Sequence, residues 1–391
     1  MLINYTSGDK DSDGELYIKL MKDGILETME MLLPSDKLMP ESFELIVNII
    51  SNISVTNEQC RDLILRSKCY QLILQRYPGF ASPHVHHQMS WLFGNLIRQN
   101  RTCTLSDDIS KDLLVKLKMT MIHSNHAEVV NHAMFGLAQF LSDQSTRQER
   151  LKFVFWDSFW QKALEEHITT QNEVVRQSVI EALVLCSEYC GSNNEWLTKP
   201  SIISEMTKIL RNNFSIKDHI TQKIWRYFTY VLTNCLGQER SVIRNDRELF
   251  VLAGQALLPE TSDETKIQVL EFVRIVFMLV TPDHGKSIMI NNPDLIVNVM
   301  GVFGDYDDGD SVKKSLVMAM LETLKMMLRF GRLYQEDECE NWVKERIENS
   351  EENQFLDKMA NGLIGKTAEE RQYIEDCTRE VLSEFFEWTP K

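Results

Sequence analysis

Trp91-Leu92-Phe93-Gly94-Asn95 is the stretch whose reading decides the fold. Trp91 and Asn95 are four residues apart, so on a helix they project from one face, one turn above the other. An indole beside a carboxamide has no acid–base or nucleophilic capacity. The pair suits gripping an extended peptide, with the indole packing a cationic stem and the amide bonding the peptide backbone. The expectation is a binding protein, not an enzyme.

Working outward, apolar residues at helical spacing follow one another with few strand signals. Ile25, Met29, Leu32 and Leu33 mark one stripe, and Phe43, Val47, Ile50 and Ile53 the next. Leu63–Leu65 and Leu72–Leu74 then precede the helix holding Trp91. The rhythm is a short helix, a medium one, then a longer one. Longer helices align at Asn52, Asn95, Phe140, Ser187, Thr229, Val276 and Met326, spaced by 43, 45, 47, 42, 47 and 50 residues. That spacing fits armadillo or HEAT units and is too long for tetratricopeptide or ankyrin repeats. A single unit of this kind cannot bury its own apolar face, so neighbours must stack into a superhelix with a concave groove. The predicted architecture is all-α: a right-handed armadillo superhelix, or α-solenoid, over residues 15–391. Its pattern is weakest after about residue 240. Residues 1–14 are polar and expected to be disordered.

Composition agrees. Hydrophobic residues make up 43% of the 391, enough for a substantial core. Only 16 Gly and 9 Pro are present, which disfavours a turn-rich all-β chain. A formal net charge of −15 repels nucleic acid and anionic lipid, and a basic partner is its natural complement. The same acidity also serves plain solubility. Eight cysteines are scattered without C-x-x-C spacing and read as reduced, mostly buried residues of an intracellular protein. The amino-terminal residues lack the basic and apolar regions of a signal peptide. Ile275–Val280 is the longest apolar run and is too short to span a bilayer. Cytoplasm and nucleus are the expected compartments.

Enzymatic signatures are missing. No phosphate-binding glycine loop, dinucleotide fingerprint, nucleophile elbow or H-E-x-x-H occurs. His84, His86 and His87 lie at a helix start with no Cys or carboxylate at ligand spacing, so no metal is expected. Asp305–Asp310 imitates a calcium loop, but its glycine is one position early and Leu316 stands where a bidentate Glu is needed. It reads as an acidic turn. Cys186 and Cys190, four apart, read as buried small residues. No cofactor is implied.

Several phrases resemble the importin-α family of armadillo adaptors, whose third helices carry W-x-x-x-N. Ser90-Trp91-Leu-Phe-Gly-Asn95-Leu-Ile-Arg98 is similar to the family's fourth repeat. Asn52-Ile-Ser followed by Cys60-Arg61-Asp62-Leu63-Ile64 resembles the third. Glu128-Val129 with Phe140-Leu-Ser-Asp143 resembles the fifth, and Lys223-Ile-Trp225 the seventh. The likeness is strongest over residues 43–143 and thin in the second half. It implies a groove that binds basic, extended segments of the nuclear-localisation type, in an adaptor for nucleocytoplasmic transport. The implied peptide-binding positions are Trp91/Asn95, Asn48/Asn52 and Trp225/Thr229, with Phe140 and Ser187 matched by position. Trp225 suits groove or core equally, and Phe140 and Ser187 suit simple packing as well. Departures are marked. Asn48, Gly136, Leu183, Phe272 and Glu322 occupy aligned tryptophan positions, so only 91/95 is a complete pair. The Arg/Lys-rich segment that in the family binds importin-β has no counterpart, which leaves that contact without its usual handle. A scaffold that kept the fold and lost this cargo is the alternative expectation.

Overall fold

The computed structural model describes residues 18–56, 58–80, 82–98, 105–143, 146–188, 195–213, 218–234, 243, 246–258, 260–303, 314–332, 347–348, 353–361, 364 and 367–386. The expectations for residues 1–14 and for the acidic turn at 305–310 lie outside them. The described residues form helices and no strand, so the chain is all-α as expected.

Each marker residue falls on its own long helix. These helices are α1 (Pro40–Thr56), α2 (Pro83–Ile97), α4 (Ala127–Ser142), α5 (Glu173–Glu188), α6 (Asp218–Asn234), α7 (Asp263–Leu279) and α8 (Lys314–Arg332). Helix α3 (Asp107–His123) precedes α4, and α9 (Ala368–Phe385) closes the series. Shorter helices such as Glu58–Arg66 and Lys68–Arg76 lie between them. Local chemistry sets the starts. Ser82 caps α2 by accepting from the Val85 N–H, with Pro83 in the first turn, where its missing N–H costs nothing. Ser106 and Ser262 cap α3 and α7 in the same way. Thr367 and Glu370 form a reciprocal capping box on α9.

The helices fall into two compact units, Met1–Cys186 and Ser187–Lys391. Within the first, α2 packs against α1 on one side and against α3 and α4 on the other. Phe43, Val47, Ile50, Leu92, Phe93, Leu96, Val129, Ala133 and Leu137 are buried there. Two glycines permit a close approach. A β-carbon on Gly136 would run into Leu117 Cδ1 and lie 3.6 Å from the Gly94 Cα. One on Gly94 would meet the His132 carbonyl at 3.2 Å. The helices α2 and α4 therefore come close at these two glycines, with little room for a side chain between them. Gly136 holds one of the aligned tryptophan positions, and this contact is the physical reason it carries no ring.

A buried ion network anchors the same unit. Arg150 is fully buried, and its guanidinium bonds Asp107 at 3.0 Å, Asp143 at 3.2 Å and the Phe140 carbonyl at 2.8 Å. It also lies 4.9 Å over the Phe140 ring. The two carboxylates and the carbonyl together meet the desolvated cation's demand for acceptors.

Within the second unit, α6, α7, α8 and α9 pack in succession. Its core is aromatic at α6 and α7, where Trp225, Tyr227, Phe228, Phe250 and Phe272 are buried. Towards α8 it becomes aliphatic, with Leu316, Val317, Met320, Leu324 and Met327.

Candidate functional site

The eight residues nominated from the sequence separate into two groups. Asn48, Asn52 and Trp91 are partly exposed. They lie together on α1 and α2 in the first unit. Asn52 Nδ2 donates to Asn48 Oδ1 at 3.1 Å, and Asn48 Nδ2 donates to Gln88 Oε1 at 3.0 Å. Gln88 is three residues, about one helical turn, from Trp91. The three amides form a chain running from α1 to α2 beside the indole. Each carboxamide both donates and accepts, which is the chemistry that matches a peptide backbone.

The remaining five are buried, which corrects the expectation that they face a peptide. Asn95 is only 3% exposed and donates to the Ser51 carbonyl on α1 at 3.4 Å. Its amide ties α2 to α1, where packing leaves no route to a ligand. Phe140 is wholly buried under Arg150. Trp225 is wholly buried, its ring 5.1 Å from Phe272 and 6.1 Å from Phe228. Its indole N–H has no hydrogen-bond partner. Thr229 is buried and turns its hydroxyl back on the Trp225 carbonyl at 3.0 Å. Ser187 is buried, and its carbonyl accepts from Asn234 Nδ2 at 3.0 Å. The structure therefore brings Asn48, Asn52 and Trp91 together and places the others in packing roles.

Polar side chains at the helix contacts share a theme. Asn95 reaches the Ser51 carbonyl and Asn234 the carbonyls of Ser187 and Glu188. Thr323 Oγ1 reaches the Leu270 carbonyl at 3.0 Å. Each is a polar side chain on one long helix bonded to the backbone of the preceding one. The position that resembles a peptide-gripping asparagine here stitches helix to helix.

Trp91 rests on an imidazole. The ring of His132, on α4, lies 4.8 Å from the indole at an angle of 48°. His132 in turn stacks on His87 at 5.2 Å, nearly parallel. Its Nδ1 lies 3.1 Å from Ser90 Oγ, and that hydroxyl also bonds the His87 carbonyl at 2.7 Å. Burial first, and neighbouring His87 second, push the His132 imidazole down to about 4, so it is neutral at ordinary pH. His87 is also lowered by burial, against the opposing pull of Glu128, whose carboxylate lies 3.3 Å away. Gln88 and His132 were not singled out in the sequence. Gln88 carried a usable signal in its one-turn spacing from Trp91, whereas the Trp91–His132 contact depends on how α2 meets α4.

Exposed positions on the second unit's long helices are charged instead. Arg226 pairs with Glu188 at 3.6 Å and lies 5.2 Å over the Tyr230 ring. Arg274 pairs with Glu271, Lys325 with Glu380, and Arg329 with Glu384. A hollow of about 310 Å³ lined by Arg247, Phe250, His284 and Asn291 also lies in this unit, away from every nominated residue. Among the described residues no group of three or more His, Cys, Asp or Glu has metal-binding geometry. None of their helices is long and apolar enough to cross a membrane.

No protein-family model matches the chain, and no curated protein matches it. Among solved structures, the crystal structure of an engineered protein from the Northeast Structural Genomics Consortium aligns over 97% of both chains, with a TM-score of 0.64 and 13% identity. A second engineered protein from that consortium covers 64% of this chain and 98% of its own, at a TM-score of 0.49 and 16% identity. At 13% identity the first likeness is one of fold alone.

Proposed function

We propose that the chain is a divergent armadillo protein, a right-handed superhelix of the importin-α type, that binds a basic, extended protein segment. The binding face is the first unit's Asn48–Asn52–Gln88 amide chain with Trp91. The observation that carries this reading is the partly exposed indole one turn from Gln88, in a chain of three linked carboxamides that joins α1 to α2. The amides fix peptide backbone, and the indole holds one Lys or Arg stem, worth roughly 0.5–2 kcal/mol. The net charge of −15 favours the approach of a cationic segment. The role would be in nucleocytoplasmic transport, in cytoplasm and nucleus, without nucleic acid or membrane as a direct partner.

Titration of a lysine-rich nuclear-localisation peptide tests it. Saturable binding that weakens in Trp91→Ala is expected. Absent binding, or binding indifferent to that substitution, puts the second reading ahead. That reading is a scaffold which holds a specific protein partner by another surface. The burial of Asn95, Trp225 and Thr229 favours it, because it removes from the surface the positions that would extend a peptide groove.

A further inference from the structure

We propose that His132 is the positioning residue of this face: a neutral imidazole, protonated at Nδ1, that seats the Trp91 indole and makes its grip on a cation sensitive to protons. The proposal rests on the peptide-binding reading for its ligand and on geometry for its mechanism. Ser90 Oγ has a single hydrogen and bonds the His87 carbonyl at 2.7 Å, where it can only donate. At 3.1 Å from His132 Nδ1 the same oxygen must then accept, which puts the ring proton on Nδ1. That tautomer is the minor one of a free histidine side chain, so the protein selects it. His132 is thereby fixed on one edge by Ser90, on one face by His87 at 5.2 Å, and against Trp91 at 4.8 Å.

A neutral ring in that place leaves the negative face of the indole available to a Lys or Arg stem. A protonated one puts a positive charge within 5 Å of the indole itself, weakens the pull of that ring on a cation and opposes binding. The charged and titratable groups of the surrounding cluster, most of them reached through His86 and His87, are His84, His86 and His87 on α2, Glu44 on α1, His123 on α3, His126 at the cap of α4 and Glu128 on α4. Glu128 sits 3.3 Å from His87 and 3.6 Å from His126. It compensates protonation at those two outer rings, whereas His132 is buried and stacks on His87. The inner ring therefore controls the indole, and burial keeps it neutral to well below the usual histidine range.

Nitrogen-15 NMR of the histidine rings in the unliganded protein, with His132 assigned by its loss in His132→Gln, tests the tautomer. The expected result is an Nδ1-protonated, neutral ring that titrates only well below pH 6.5. An Nε2-protonated ring, or one charged at pH 6, overturns the proposal whether or not any peptide binds. The difference in fluorescence between wild type and Trp91→Phe supplies a second readout. It should change as pH approaches 4 and should stop doing so in His132→Gln. A lysine-rich peptide is then titrated across the same pH range. Affinity should hold within twofold from pH 8 to 6 and fall below pH 5, while His132→Gln binds about fivefold more weakly and without that fall. Because His132 is buried, Ser90→Ala is the milder companion variant. It should release the ring to the Nε2 tautomer, and an unchanged ring spectrum there contradicts the mechanism. Failure of the peptide to bind at any pH, with the NMR and fluorescence results as expected, refutes the peptide reading and leaves the His132–Trp91 coupling standing.

Discussion

Trp91 and Trp225 occupy matching positions on long helices of the two units, each with a polar residue one turn further on, and they end in opposite surroundings. Trp91 is partly exposed beside a chain of amides, while Trp225 is wholly buried with an orphaned N–H. The neighbouring helix decides the difference. Beside α2, helix α4 presents Gly136 at the close approach and the His132 imidazole against the indole. Beside α6, helix α7 presents Phe272, whose ring lies 5.1 Å from the indole and closes over it. A tryptophan on a repeat helix is thus neither groove nor core by its own spacing. The bulk on the next helix chooses.

The largest effect that would break this contrast lies beneath the first unit. Arg150→Met should destabilise it by about 3–5 kcal/mol, because Asp143 and Asp107 lose the buried guanidinium that joins them, even though Lys111 still pairs with Asp107. Chemical denaturation followed by circular dichroism measures this, and a loss below about 1 kcal/mol contradicts the buried network. Trp225→Ala should cost a similar 3–5 kcal/mol through the cavity it leaves, whereas Trp91→Ala should cost about 1 kcal/mol. Equal losses at the two sites would erase the distinction between core and surface indole.

A glycine test sharpens it further. Gly136→Ala should destabilise by about 1–3 kcal/mol, since its methyl group competes with buried Leu117. Adding Leu117→Val should recover part of that loss, and a double-mutant cycle with no coupling would refute the close approach. The smallest effect belongs to the charged rim of the second unit. Glu384→Gln removes the negative charge that pairs with Arg329 yet should change stability by less than about 1 kcal/mol, less still in high salt.

Much of the fold was legible because it rests on periodicity. The 42–50-residue spacing put every marker, from Asn52 to Met326, on a separate long helix. The site was legible only in part. Asn48 and Asn52 share a face because they are one turn apart on α1, while their nearness to Trp91 comes through Gln88 once α1 and α2 have packed. Asn95 was not legible, because a carboxamide serves a peptide or the Ser51 carbonyl equally well, and only the approach of α1 settles which. Trp225 failed for the corresponding reason at Phe272. His132 was silent in the sequence, since its contacts with Ser90 and Trp91 exist only once α2 and α4 have packed.

The most direct test is hydroxyl-radical footprinting of both indoles, with and without a saturating lysine-rich extended peptide. Trp91 should be labelled in the free protein and protected by the peptide, while Trp225 stays unlabelled in both states. A Trp91 as inert as Trp225, or one whose labelling ignores the peptide, would contradict the assignment of the first unit's open indole as the place where a basic segment binds.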